Sequence, residues 1–142
     1  MKAHLSRRYH FSASHRLNSD EFDVVKNATV YGKCNNPHGH GHNYTVQITV
    51  SGQVDPVTGM VCNLVDLDGF ARKNIVERFD HTNLNTLDCF AQKVSTTENL
   101  SIEIYHIFKG FTAAHVERIH VEETSNNSFD YAGNGIPAPG TI

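Results

Sequence analysis

The chain has 142 residues, 39% of them hydrophobic, and a formal net charge of −3 at pH 7. That length suits one compact domain with a modest core and leaves little for a second. No apolar run approaches the ~20 residues of a membrane helix, and no basic stripe marks a nucleic-acid surface, so neither membrane nor nucleic acid is expected as a partner.

Residues 7 to 17, RRYHFSASHRL, alternate in character. Tyr9, Phe11, Ala13, His15 and Leu17 fall on one face, and His10, Ser12, Ser14 and Arg16 on the other, which predicts a strand with one apolar side. The polar stretch 18–31 reads as a loop. A second strand is expected over 42–51, with Tyr44, Val46, Ile48 and Val50 facing one way. A turn follows at DPVTG, 55–59, and Met60 to Leu64 could extend the sheet. Residues 66–79 carry helical spacing, with Asp66 placed to cap the start. A second helix follows from Leu100, Ile104, Ile107, Phe108 and Phe111, preceded by Ser95-x-x-Glu98, a capping-box pattern. Residues 116–124 and 128–131 complete the strands. The order ββααββ predicts an α+β fold, a four-stranded antiparallel sheet with two helices on one face. Residues 1–131 are expected to form a single domain, and 132–142, rich in Gly and Pro, an irregular tail. The sheet's two open edges invite pairing between subunits.

The stretch GKCNNPHGHGHNY, 32–44, crowds one cysteine and three histidines together. His15 shares the apolar face of the first strand, while His40 and His42 share the face of Tyr44 and Val46. Three imidazoles on neighbouring strands can therefore point to one side of the sheet, and neutral imidazole is a good zinc ligand. A single histidine on an apolar face is more commonly a hydrogen-bonded core residue; the adjacent HGHGH run favours ligation. His38 has the same parity, but Pro37 places it in a turn. Three nitrogens leave a fourth position for water or substrate. Cys34 in that position would instead close the site. The three cysteines, Cys34, Cys62 and Cys89, have no CxxC spacing, so a disulfide framework is not expected. With no apolar signal core in MKAHLSRRYHF, a cytoplasmic location follows.

Six blocks, FSASHRL (11–17), YGKCNNPHGHGHNY (31–44), VDPVTGMV (54–61), FDHTNL (79–84), VSTTEN (94–99) and VEETSNN (121–127), resemble the 6-pyruvoyltetrahydropterin synthase family in order and spacing. Cys34 precedes His38-Gly39-His40 by three residues and His40-Gly41-His42 by five. The flanking GKCNN and HNY favour the five-residue register of the pyruvoyl enzymes over the three-residue register of the related 6-carboxytetrahydropterin synthases.

The resemblance implies a tunnelling fold (T-fold) whose sheets join into a barrel, in a homohexamer built as a dimer of trimers. It implies a zinc-dependent lyase that takes 7,8-dihydroneopterin triphosphate to 6-pyruvoyltetrahydropterin and triphosphate, with Mg²⁺ accompanying the phosphates. It assigns zinc to His15, His40 and His42, and proton transfer to Cys34 with Asp80 and His81. Glu123 would grip the pterin, and Thr97 and Glu98 would line its pocket. Read without the resemblance, Asp80-His81 is a helix-end pair, and Ser95 and Glu98 form a capping box. Lys33, Arg7, Arg8 and Arg16 are the cations available to the triphosphate. The carboxy-forming enzyme on the same substrate and a non-catalytic zinc-binding module are the competing readings.

Overall fold

The computed structural model describes residues 1–133. In chain order it contains β1 (Lys2–His15), α1 (Val24–Tyr31), β2 (His40–Gln53), α2 (Leu64–Ala71), α3 (Glu77–Phe79), β3 (Thr82–Asn83), α4 (Thr97–Phe108), β4 (His115–Glu122) and β5 (Ser128–Tyr131). The strands form one sheet in the order β3-β1-β2-β4-β5. Strands β1, β2, β4 and β5 are the expected antiparallel set. The short β3 adds a fifth, two-residue edge that runs parallel to β1.

Alternation decides which side is covered. Phe11 and Ala13 of β1, Tyr44, Val46, Ile48 and Val50 of β2, and Ile119 and Val121 of β4 are all buried. They meet Leu67, Ala71, Ile75 and Phe79 from the α2–α3 segment and Leu100, Ile104 and Phe108 from α4. Each helix thus spends one stripe on the sheet, as an amphipathic period requires. The opposite face carries Arg8, Gln47, Arg118 and His120, paired among themselves and with Glu122 and Asp130. A register shift between Thr49 and Val50 keeps Val50 and Val116 opposed on the inner side.

Several local expectations are corrected. The stretch taken as a loop contains α1. Asp23 caps it by accepting the Lys26 N–H at 2.7 Å, and the buried Asn27 donates to the carbonyls of Ser19, Phe22 and Asp23. A helix held by polar plugs, with Val24 and Val25 exposed, leaves no hydrophobic period to read. Residues 60–63 bend rather than extend the sheet. Asn63, not Asp66, caps α2, accepting the Val65 N–H at 2.8 Å; Asp66 lies in the first turn, where its charge suits the helix dipole. The segment after α2 widens to a π-helical stretch, Arg72–Val76, before α3. Thr96, not Ser95, caps α4, its hydroxyl accepting the Asn99 N–H at 3.2 Å. The expected tail lies outside the described residues from 134 onward.

Ile104 is fully buried between α4 and the sheet. Ile104→Ala should cost about 2–5 kcal/mol, the range for deleting a buried aliphatic side chain. Urea denaturation would register this, and a loss under about 0.5 kcal/mol would contradict the packing described.

Candidate active site

The site begins where the β1–β2 ladder ends. His15 and His40 are its last opposed pair, and Ala13 faces His42 one step in. The chain reaches that register through Gly39, whose φ of +74° favours glycine, and where a Cβ would stand 3.0 Å from the His15 carbonyl oxygen. His15 is 1% exposed and its Nδ1 donates to the Ser95 carbonyl at 2.7 Å. A carbonyl can only accept, so the His15 proton sits on Nδ1 and Nε2 presents a lone pair. That nitrogen lies 3.0 Å from His40 Nε2. One nitrogen from each of His15, His40 and His42 can be chosen so that all lie within 4.8 Å of one another.

The donor set suits a divalent metal. His40 Nδ1 and His42 Nε2 are buried without a hydrogen-bond partner, a costly state that is uncommon in native proteins. Burial holds the imidazoles of both His15 and His40 below their ordinary value near 6.5, and for His15 the Ser95 carbonyl opposes that effect. Neutral imidazole is the ligating form.

Glu123 sits just past the end of β4, its carboxylate 3.3 Å from His42 Nε2 and 3.6 Å from His15 Nε2. Beneath the histidines, the hydroxyls of Tyr44 and Thr97 are also buried and unpaired. Thr97 lies close enough to Tyr44 to bear on its ionisation, yet the two are not aligned for a hydrogen bond. Burial, reinforced by Glu123, pushes the Tyr44 phenol well above its ordinary value, so it is a neutral hydroxyl. Sequence reading passed over Tyr44 as a core residue. It passed over the Ser95 carbonyl too, because a backbone acceptor leaves no trace in residue type.

Cys34 lies in a 3₁₀ turn, Gly32–Asn35, between α1 and β2. Its carbonyl accepts the Leu17 N–H at 2.9 Å, which ties the turn to the end of β1. The thiol is partly buried and free, and stands outside the three-histidine group. It is near enough to Tyr44 to influence that phenol. His38 is exposed in the Pro37-His38 turn, also outside the group.

Asp80 and His81 follow α3. Asp80 Oδ1 accepts the Ser12 N–H at 2.9 Å and Oδ2 lies 2.9 Å from His81 Nδ1. The Ser12 amide and, after it, His81 hold the Asp80 carboxyl below the usual carboxylate range. The His81 N–H returns to the Ser12 carbonyl at 2.6 Å, and His81 adopts φ +57°, uncommon for a non-glycine residue. Its side chain is 84% exposed. Among the described contacts within one chain, none joins this pair to Cys34. Glu98 is exposed in the first turn of α4, while Thr97 is buried at its start. A cavity of about 750 Å³ opens beside His15, with Arg16, His38 and Lys93 on its walls. Of the other candidate cations, Arg7 is held by both oxygens of Asp68 at 3.0 Å, and Arg8 binds Gln47 on the far face.

This fold and site define an α+β protein with a three-imidazole group that could hold a metal ion, with the Glu123 carboxylate against it. A family profile described as 6-pyruvoyl tetrahydropterin synthase matches residues 4–134. The chain is 46% identical over 134 residues to 6-pyruvoyl tetrahydrobiopterin synthase of Homo sapiens, covering 93% of this chain and 92% of that one. It is 43% identical to the Drosophila melanogaster protein of the same name, over 96% and 86% of the two chains. The solved 6-pyruvoyl tetrahydropterin synthase of Caenorhabditis elegans superposes with a TM-score of 0.89 at 35% identity, covering 94% of this chain and 96% of that one. The Plasmodium falciparum structure, at 18% identity and TM-score 0.64, shares the fold. The chain belongs to the 6-pyruvoyl tetrahydropterin synthase family.

The depressed imidazoles set a pH dependence. As pH falls below about 6.5 the unfolded chain takes up protons that the folded His15 and His40 resist, so stability falls with them. The metal-free protein should therefore unfold at lower urea near pH 5.5 than near pH 7. A midpoint that stays level across that window would contradict the burial of these rings.

Proposed function

We propose that this chain is a zinc-dependent lyase that converts 7,8-dihydroneopterin triphosphate to 6-pyruvoyltetrahydropterin, releasing triphosphate. The observation that carries the reading is the convergence of His15, His40 and His42, a group that does not include the free Cys34. The names of the relatives point to the same activity.

Overall the reaction needs no external reductant. Loss of triphosphate oxidises one side-chain carbinol carbon internally, and the two hydrogens removed from the other carbinol are balanced by two gained across the ring imine. His15, His40 and His42 would hold zinc, which supplies Lewis-acid stabilisation of charge on a side-chain oxygen. Cys34, as thiolate, takes a carbon-bound proton. Asp80 accepts from His81 Nδ1 and leaves Nε2 free to exchange protons. Glu123 accepts from the amide and amino groups of the pterin in a paired, charge-assisted contact, and Thr97 and Glu98 border that pocket. Arg16, on the wall of the cavity beside His15, is a cation available to the triphosphate and its Mg²⁺.

The exposed His81 and the separate Cys34 support a site assembled from two chains of a homohexamer, a dimer of trimers whose sheets join into a barrel. The open strands β3 and β5 supply edges for that joining. No helix among the described residues is long and apolar enough to cross a membrane. Three free cysteines, Cys34, Cys62 and Cys89, fit a reducing, cytoplasmic setting.

The test is incubation with 7,8-dihydroneopterin triphosphate and Mg²⁺, followed by identification of the side chain left on the pterin. A pyruvoyl side chain is expected. A 6-carboxy pterin with acetaldehyde would replace this reading with the related synthase. Cys34→Ala should lower kcat by at least about 10²-fold while zinc content, measured by mass spectrometry, stays at the wild-type level. Zinc lost in step with activity would instead make Cys34 a ligand.

A further inference from the structure

The Glu123 side chain is 14% exposed. Buried carboxylates are costly unless paired with a cation or well hydrogen-bonded. Among the described residues, Glu123 forms no ion pair with a lysine or arginine. Both of its charged-group contacts are imidazoles, His42 at 3.3 Å and His15 at 3.6 Å. The nearer contact lacks hydrogen-bond geometry, since His42 Nε2 is without a partner. These contacts use the same Nε2 edge that His15 turns away from Ser95. One carboxylate oxygen, Oε1, makes both contacts, so it approaches the place where the imidazole lone pairs meet. A dication there would satisfy the carboxylate and the orphaned His42 Nε2 together.

We propose that Glu123 closes the metal centre as a fourth ligand in the resting protein and exchanges to the pterin when substrate enters. Carboxylate oxygen is a normal zinc donor, and three imidazoles with one carboxylate make a tetrahedral set. The ligand role rests on the metal reading of His15, His40 and His42. The exchange rests also on the pterin reading given above. The position of Glu123 suits a hinge of this kind. It lies beyond the last ladder residue of β4, Glu122, and its backbone N–H is tied to the Asn127 carbonyl at 3.1 Å. The turn is thus anchored by backbone while the carboxylate remains free of any other strong partner. A cavity of about 480 Å³, lined by His42, Asn43, Glu122, Glu123 and Thr124, opens beside the carboxylate.

The experiment reads the metal rather than turnover. Wild type, Glu123→Gln, Glu123→Ala and the neighbouring Glu122→Gln are loaded with Co²⁺, and their visible absorption and Zn²⁺ affinity by chelator competition are measured. Both Glu123 variants should bind Zn²⁺ more weakly by at least the roughly 10–100-fold that losing an outer-shell partner costs and shift the cobalt bands, while Glu122→Gln matches wild type. Two Glu123 variants guard against a folding defect in one, and circular dichroism checks each. Weaker binding with unmoved bands would mean that the carboxylate acts only through its field, which overturns ligation. Unchanged affinity and bands overturn it outright. Saturating cobalt-loaded wild type with 7,8-dihydroneopterin, with binding followed by fluorescence, should move the bands, and an unmoved spectrum at saturation overturns the exchange. Because no arm uses the triphosphate substrate or its product, failure of the proposed lyase activity and failure of Glu123 ligation give different results.

Discussion

The register of β1 against β2 is the constraint on which the site depends. Side chains alternate across a strand, so a slip by one residue would turn His40 and His42 to the opposite face. Instead, a continuous antiparallel ladder from Lys2 opposite Gln53 to His15 opposite His40 delivers two histidines to the side occupied by His15. The apolar positions enforce that choice. Phe11, Ala13, Tyr44, Val46, Ile48 and Val50 are buried under the helices only in this register. The metal ligands therefore borrow their placement from the core, and the hydrophobic effect does the aligning that three polar side chains could not do alone.

The polar accounting leads to the same place. All four of the described buried side-chain nitrogens and oxygens that lack a hydrogen-bond partner lie at this end of the sheet: His40 Nδ1, His42 Nε2, the Tyr44 hydroxyl and the Thr97 hydroxyl. Elsewhere the molecule satisfies such groups with care. Asn27 donates to three carbonyls, and Ser101 donates to the Thr97 carbonyl. A protein that pairs its buried groups so consistently and leaves one cluster unpaired has left room for atoms it does not itself supply.

Much of this was readable in advance. Alternation in 7–17 and 116–124, and the helical period from Leu100 to Phe111, depend on one buried face and one wet face, which residue type records directly. The parity of His15, His40 and His42 followed from the same rule, while Pro37 marked the turn that sets His38 apart. The misread elements share a different physics. Helix α1 is held by Asp23 and Asn27 rather than by an apolar stripe. The caps at Asn63 and Thr96 fell a few residues or a single residue from the expected ones, because several neighbouring side chains could each accept the same N–H groups. The two-residue β3 exists because Thr82 and Asn83 dock beside β1, and no local pattern encodes that docking.

Sequence by itself determined the strand faces, the apolar content of the two sheet-covering helices and the identity of the three candidate imidazoles, since each rests on residue type and a short period. Tertiary structure decided what stands around those imidazoles. It brought the Ser95 carbonyl to His15 across 80 residues of chain, folded Glu123 back onto His42, and set the Ser12 backbone against both Asp80 and His81. These are contacts between distant segments, several of them through backbone atoms that every residue carries alike. Composition and spacing cannot distinguish one carbonyl from another; only the closed fold selects which of them meets a histidine.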